Sequence, residues 1–240
     1  MSENIKKITK AFVVDLDSRE NQSIILSTRP FYHQAHQVDE VARKIYKLIK
    51  EAKCSNDGII LNHNEIKEVF FSPFKPQLKD AQVFLSHSHA DRNKALEVKN
   101  YLESKTNHRV FIDSLFWDYK DNIVKEMSKY DNTSKIEDAF TLILRESLQD
   151  MIEKCPYFVF LKNKNSVSDQ GLSRITYSAW IYEELKIANG LIADSALQES
   201  HIKAMRVSHN ITNLLRKFKS ISLDGLCKKI SFNFITKDLE

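Results

Sequence analysis

From about residue 81 onward, short apolar runs alternate with helical stripes, and this alternation constrains the fold more than any other feature of the chain. Gln82 to Leu85, then Ala95, Val98 and Leu102, then Arg109 to Ile112 read as β, α, β. Phe140, Leu144, Leu148, Met151 and Ile152 mark a second amphipathic helix. It runs through Cys155-Pro156 into Tyr157-Phe-Val-Phe-Leu161, a continuous apolar run typical of a strand buried on both faces. Ile181, Leu185, Ala188 and Ile192 form a further helical stripe, and Ile211, Leu214, Leu215 and Phe218 another; Lys219 to Leu223 and Ile230 to Ile235 are late strand candidates. Strands interleaved with helices predict an α/β fold with a parallel sheet.

The first eighty residues read as a smaller α+β unit. Ala11 to Leu16 and Ser23 to Leu26 look like strands separated by the polar turn Asp17 to Asn21. Val38, Val41, Ala42, Ile45, Leu48, Ile49 and Ala52 then recur with helical spacing, which predicts a helix ending near Cys54. The turn Ser55-Asn-Asp-Gly58 leads to the apolar stretches Ile59 to Leu61 and Val69 to Phe71, and Ser72-Pro-Phe-Lys-Pro76 reads as a linker. These signals place a boundary near residue 79, with residues 1–79 as an extension and residues 80–240 as the main domain. Residues 118–138, rich in Asp, Lys and Asn, read as a polar excursion between the second strand and the next helix.

Charge and composition exclude several classes. In 240 residues, Lys+Arg 36 against Asp+Glu 32 leaves a net +4, without any block of like charge that would seek phosphates, so specific nucleic-acid binding is not expected. No stretch approaches the roughly 18 apolar residues of a membrane span, and the three cysteines, Cys54, Cys155 and Cys227, show neither a disulfide framework nor zinc-knuckle spacing. A cytoplasmic location is expected. Gly58, Gly171, Gly190 and Gly225 are isolated, which argues against a glycine-rich phosphate loop.

In open parallel sheets the loops after the strands build the ligand crevice. The first such loop, Ser86-His-Ser-His-Ala-Asp91, carries H-x-H-x-D spacing, with which His87, His89 and Asp91 would hold zinc in a metal-dependent hydrolase. Metallo-β-lactamase-like hydrolases continue that motif with another His; here Arg92 stands there, and the remaining ligands are missing. No metal site is therefore expected, and the competing structural reading is that Asp91 or Ser88 caps the following helix. The second loop begins at Asp113 and includes Trp117. The third, Lys162 to Tyr177, leads into Ser178-Ala-Trp-Ile-Tyr-Glu-Glu-Leu185, where Trp180 and Glu184 lie one turn apart on one helix face. The bland reading there is a Trp packed on the sheet beside two solvated glutamates.

Taken in order, Val83-Phe-Leu-Ser-His87, Arg109-Val-Phe-Ile-Asp113, Tyr157-Phe-Val-Phe-Leu161 and Ser178-x-Trp-x-x-x-Glu184-Leu185 resemble the Toll/interleukin receptor (TIR) domain family, of the bacterial NAD-cleaving type. The resemblance covers about 110 residues, from Ala81 to Asn189, and implies a flavodoxin-like parallel sheet flanked by helices. It places the family's catalytic glutamate at Glu184, with Glu183 the neighbour out of register. Ser86, His87, Ser88 and His89 correspond to the loop that contributes to the nucleotide pocket; Asp113 and Trp117 lie in the loop that closes over substrate and joins subunits; Trp180 shares the helix of Glu184. Some enzymatic relatives carry arginines where Ser88 and His89 stand.

The function so implied is NAD+ nucleohydrolase or ADP-ribosyl cyclase activity, with NAD+ as substrate and no cofactor, supplying a signal in bacterial antiphage immunity. The implied partners are further copies of the chain, assembled through TIR contacts, and a separate effector protein that reads the product. A carboxylate suits the reaction because the transition state is an oxocarbenium-like ribose, and Glu184 is expected to face a solvated crevice. A non-enzymatic TIR adaptor module is the alternative, since fold does not fix function.

Overall fold

The computed structural model describes residues 10–27, 38–51, 53–55, 58–60, 62–72, 80–112, 120–125, 128, 134–170, 173–192 and 208–235. The chain divides into two units, Met1–Phe31 with Ala81–Ile112 and Gln149–Glu240, and Tyr32–Asp80 with Asp113–Leu148.

The first unit is built on a five-stranded, all-parallel sheet. Strand β1 (Lys10–Asp15) is followed by helix α1 (Arg19–Ser27). The second unit holds helix α2 (Val38–Glu51), the antiparallel hairpin of β2 (Lys53–Ser55) and β3 (Gly58–Ile60), and helix α3 (His63–Phe71), which packs against α2. The chain then returns to the first unit with β4 (Ala81–Ser86), a 3-10 turn over His89–Asp91, helix α4 (Arg92–Thr106) and β5 (Arg109–Ile112). Helix α5 (Ser134–Lys154) begins in the second unit and precedes β6 (Tyr157–Lys162). Strands β7 (Ser168–Gln170), β8 (Ser173–Thr176) and β9 (His209–Asn210) form a small antiparallel sheet, from which helix α6 (Ala179–Leu191) departs after β8. Helix α7 (Thr212–Leu215), strand β10 (Lys219–Ser220) and helix α8 (Leu223–Ile235) complete the described chain.

The large sheet has the order β10-β1-β6-β4-β5. Its centre is β6, whose residues Tyr157 to Leu161 are all buried, as the uninterrupted apolar run requires of a strand with both neighbours and both faces covered. The ring of Phe158 stacks on Phe84 at 5.5 Å and meets the edge of Phe218 at 5.6 Å, while Phe84 lies 5.7 Å from Phe111. Ala95, Val98 and Leu102 form the buried stripe of α4, which packs against α8 and α1. The α/β fold with a parallel sheet expected from the alternation is therefore observed, and the all-parallel sheet flanked by helices is of the flavodoxin-like class that the resemblance implied.

The boundary expected near residue 79 does not separate the sheet from what precedes it. Strand β1 pairs β6 from Lys10 opposite Tyr157 to Asp15 opposite Lys162, and also pairs β10, so a strand from before residue 79 lies inside the sheet, between β10 and β6. Two strand readings change as well, and one apolar stretch finds its element. Ser23 to Leu26 belongs to α1, where Asn21 N–H bonds the Ser18 hydroxyl at 3.3 Å and Ile25 turns inward. Val69 to Phe71 ends α3, which starts at the cap Asn62, whose Oδ1 accepts from the backbone N–H groups of Asn64 and Glu65. Ile230 to Ile235 lies in α8, not in a strand. Within the polar excursion, residues 120–125 are helical, with Ile123 and Val124 buried, and α5 begins already at Ser134.

Candidate active site

Strands β4 and β6 are neighbours, but the chain leaves them in opposite directions: from β4 to β5 on one side, and from β6 to β10 beyond β1 on the other. Such a switch point opens a crevice at the strand C-termini. Ser86 ends β4 at this position, opposite Phe160 of β6. Its hydroxyl donates a 2.5 Å hydrogen bond to Oε2 of Glu184 on α6.

Helix α6 is held in place by its start and its end. Ser178, in extended backbone, accepts from Ile181 N–H at 3.3 Å, and its own N–H bonds Thr176 Oγ1 at 3.2 Å. Asn189 Nδ2 donates to Leu214 O at 2.9 Å and so ties the helix to α7. Ile181, Leu185 and Ala188 form the buried stripe, and Glu184 lies within it, three residues after Ile181 and four before Ala188. The result is a carboxylate only 1% exposed, whereas Glu183 is half-buried beside it. The solvated crevice expected around Glu184 is not observed: the side chain points into the protein, and a buried carboxylate requires hydrogen-bonded partners such as Ser86.

The other expected residues separate. His87 is buried next to Ser86, Ser88 is half-buried, and His89 is exposed on the 3-10 turn. Trp180 is half-buried one helical turn before Glu184. Asp113 and Trp117 lie outside the described residues. The H-x-H-x-D loop does not converge, and among the described residues no group of three or more His, Cys, Asp or Glu is placed to hold a metal ion.

Asp91 has a role that its position in sequence does not reveal. It stands at the start of α4, yet neither it nor Ser88 makes a side-chain cap; Ser88 contributes its carbonyl, which accepts from Asp91 N–H at 2.8 Å. The buried Asp91 carboxylate instead receives Asn165 Nδ2 at 3.0 and 3.1 Å and Lys94 Nζ at 3.6 Å. A residue after β4 is thereby tied to a residue after β6, and the two loops that flank the switch point are held together.

A cavity of about 380 Å³ opens on the same C-terminal side of the sheet, between the ends of β1 and β6, and Glu184 is not among its lining residues. The strand-end loop beginning at Lys162, named from the sequence, forms one wall of it; the other wall, from Asp15 and Asp17, was not expected, because it depends on β1 joining the sheet. In sequence Asp15 lies inside a strand candidate and Asp17 opens a polar turn.

Comparisons with protein-family models, with curated proteins and with solved structures each return no match for the chain.

Proposed function

We propose that the chain is a TIR-like enzyme that cleaves the bond between nicotinamide and ribose in NAD+, with Glu184 as the carboxylate that acts on the ribose. The observation that carries this reading is the Ser86 to Glu184 hydrogen bond at the switch point between β4 and β6. A carboxylate held in a water-poor setting interacts strongly with the positive charge that develops on the ribose as the C–N bond breaks. Nicotinamide leaves with the bonding electrons, and a nucleophile takes its place at the anomeric carbon. With water, the products are ADP-ribose, nicotinamide and a proton; with the adenine ring as nucleophile, the product is cyclic. In this reading the ribose hydroxyls donate to the Glu184 carboxylate that also accepts from Ser86. Trp180, half-buried one helical turn earlier on α6, supplies the aromatic wall in this reading.

In this reading the product is a signal for bacterial antiphage immunity, read by a separate effector, and the chain assembles with further copies of itself in the cytoplasm. No helix among the described residues is long and apolar enough to cross a membrane.

A second reading is favoured by one observation: Glu184 is 1% exposed and stands outside the cavity, as a purely structural carboxylate in a non-enzymatic interaction module would. Release of nicotinamide from NAD+ by concentrated protein, measured by chromatography beside Glu184→Gln, separates the two. The enzyme requires release by the wild type alone. Absence of release, with and without a crowding agent that promotes assembly, favours the module.

A further inference from the structure

The five-stranded sheet has two edges, β10 and β5. The outer N–H and C=O groups of an edge strand are a template for a strand from another molecule, and proteins blunt them by keeping the edge short, charged or covered. Strand β10 is short: it consists of Lys219 and Ser220, both exposed. After Arg109, strand β5 is a continuous apolar run, Val110-Phe-Ile112, and among the described residues its one strand neighbour is β4.

Helix α4 supplies the cover for β5. Asn107, just past its end, has a φ of 56° and turns the chain straight back, so that α4 packs against β5. Lys99 Nζ donates to Val110 O at 2.8 Å, and Glu103 Oε1 accepts from Val110 N–H at 2.9 Å. The two side chains also bond each other, Nζ to Oε1 at 2.5 Å. Both main-chain groups of Val110 are thereby taken by side chains and not by β4, which marks them as outer groups of the edge.

The order and setting of the pair fit this use. Lys99 precedes Glu103 by four residues, the less favourable order for a pair that serves only its own helix. It is the order that sets an ammonium, which only donates, at the carbonyl, and a carboxylate, which only accepts, at the N–H. Both bonds to Val110 are charge-assisted. The Lys99 and Glu103 side chains are 14% and 27% exposed, so the pair stands between the strand and solvent. We propose that Lys99 and Glu103 clamp the β5 edge shut against a second copy of the chain, and that with the clamp removed two copies pair β5 to β5. A second copy is the occupant because it carries the same edge, and a strand edge is self-complementary about a two-fold axis. Such a contact uses the edge of each copy once and stops at a dimer.

The test is sedimentation velocity and light scattering on the full chain, with hydrogen exchange of residues 109–112, for the wild type, Lys99→Ala/Glu103→Ala and Lys99→Arg/Glu103→Gln. The alanine pair removes the clamp without adding a large apolar side chain; the second pair keeps a donor for Val110 O and an acceptor for Val110 N–H. The mass of the alanine variant is expected to rise with concentration toward about twice that of the wild type, and the conservative variant is expected to match the wild type throughout. Exchange at 109–112 in the alanine variant is expected to be faster than in the wild type when dilute, and to slow as the dimer forms, because strand pairing protects Val110 N–H again. A merely structural role for the pair would lower the melting temperature and leave the mass unchanged. The proposal is overturned if the alanine variant keeps the wild-type mass, or if its mass rises while exchange at 109–112 stays independent of concentration. Comparison at equal concentration makes assembly through other contacts common to all three proteins. If the double variant does not fold, Glu103→Ala, which frees the N–H alone, takes its place with the same expected result. None of these readouts depends on NAD+ cleavage.

Discussion

Ser86 and Glu184, 98 positions apart in the chain, meet in a 2.5 Å hydrogen bond that joins the end of β4 to the buried stripe of α6. A hydrogen bond to a charged group contributes about 1.5–3 kcal/mol, and removing one partner strands the other. Ser86→Ala is therefore expected to lower stability by about 1.5–3 kcal/mol, and Glu184→Leu by a similar amount. The double variant is expected to lose less than the sum, because neither polar group is then left alone. Urea unfolding of the four proteins measures the coupling. Strict additivity would show that the contact contributes nothing to stability.

The tie between the two loops predicts a graded response at Asp91. Asp91→Ala removes both the acceptor for Asn165 and the partner of Lys94, whereas Asp91→Asn retains an acceptor oxygen. The alanine variant is expected to lose about 1–3 kcal/mol, with faster hydrogen exchange in residues 87–91 and 163–167. The asparagine variant is expected to lose less. Unchanged exchange in both loops of the alanine variant would contradict the tie.

Much of the fold was legible because periodicity survives burial. The run Tyr157 to Leu161 could hardly be anything except a central strand, and the stripe Ile181, Leu185 and Ala188 marked α6 correctly. Glu184 was singled out, but its surroundings were not legible: a solvated crevice was expected where the fold buries the carboxylate within that stripe. What sequence could not supply was the pairing of Lys10 with Tyr157, since the pattern of β1 identifies a strand but not its neighbour. Of the late strand candidates, Lys219 to Leu223 does begin with β10, while the other failed for a related reason. Ile230 to Ile235 is a short apolar run, and such runs do not distinguish a buried helix from a strand.

The two described free cysteines should be inert in the native protein. Burial pushes the Cys155 thiol up to about 12 and, with help from the neighbouring Asp224 charge, pushes Cys227 up to about 11. At pH 8 the thiolate of Cys155 is then roughly one part in ten thousand. Iodoacetamide with peptide mapping is expected to leave both residues unlabelled until denaturant is added. Fast native labelling of Cys155 would mean that its surroundings open.

His209 makes the stability of α6 pH-dependent. Its ring stacks on Tyr182 at 4.4 Å, and burial lowers its pKa below the ordinary 6.5. The unfolded chain therefore takes up this proton more readily than the folded one. The stabilisation is complete above pH 6.5 and declines as the pH falls through 6.5 toward the lower folded value. The ring is partly exposed, so the step is small. The drop in Tm between about pH 7.5 and 5.5 is expected to shrink in His209→Gln. A drop of the same size in the variant would remove His209 as its source.

The central claim is that Glu184, and not its neighbour Glu183, acts on the ribose of NAD+. The most direct measurement is chromatographic detection of nicotinamide released from NAD+ by wild type, Glu184→Gln and Glu183→Gln, all confirmed as folded and assayed concentrated with a crowding agent. Release by the wild type and Glu183→Gln, with none from Glu184→Gln, is the predicted result. Equal release by Glu184→Gln, or no release by any of the three, would contradict it.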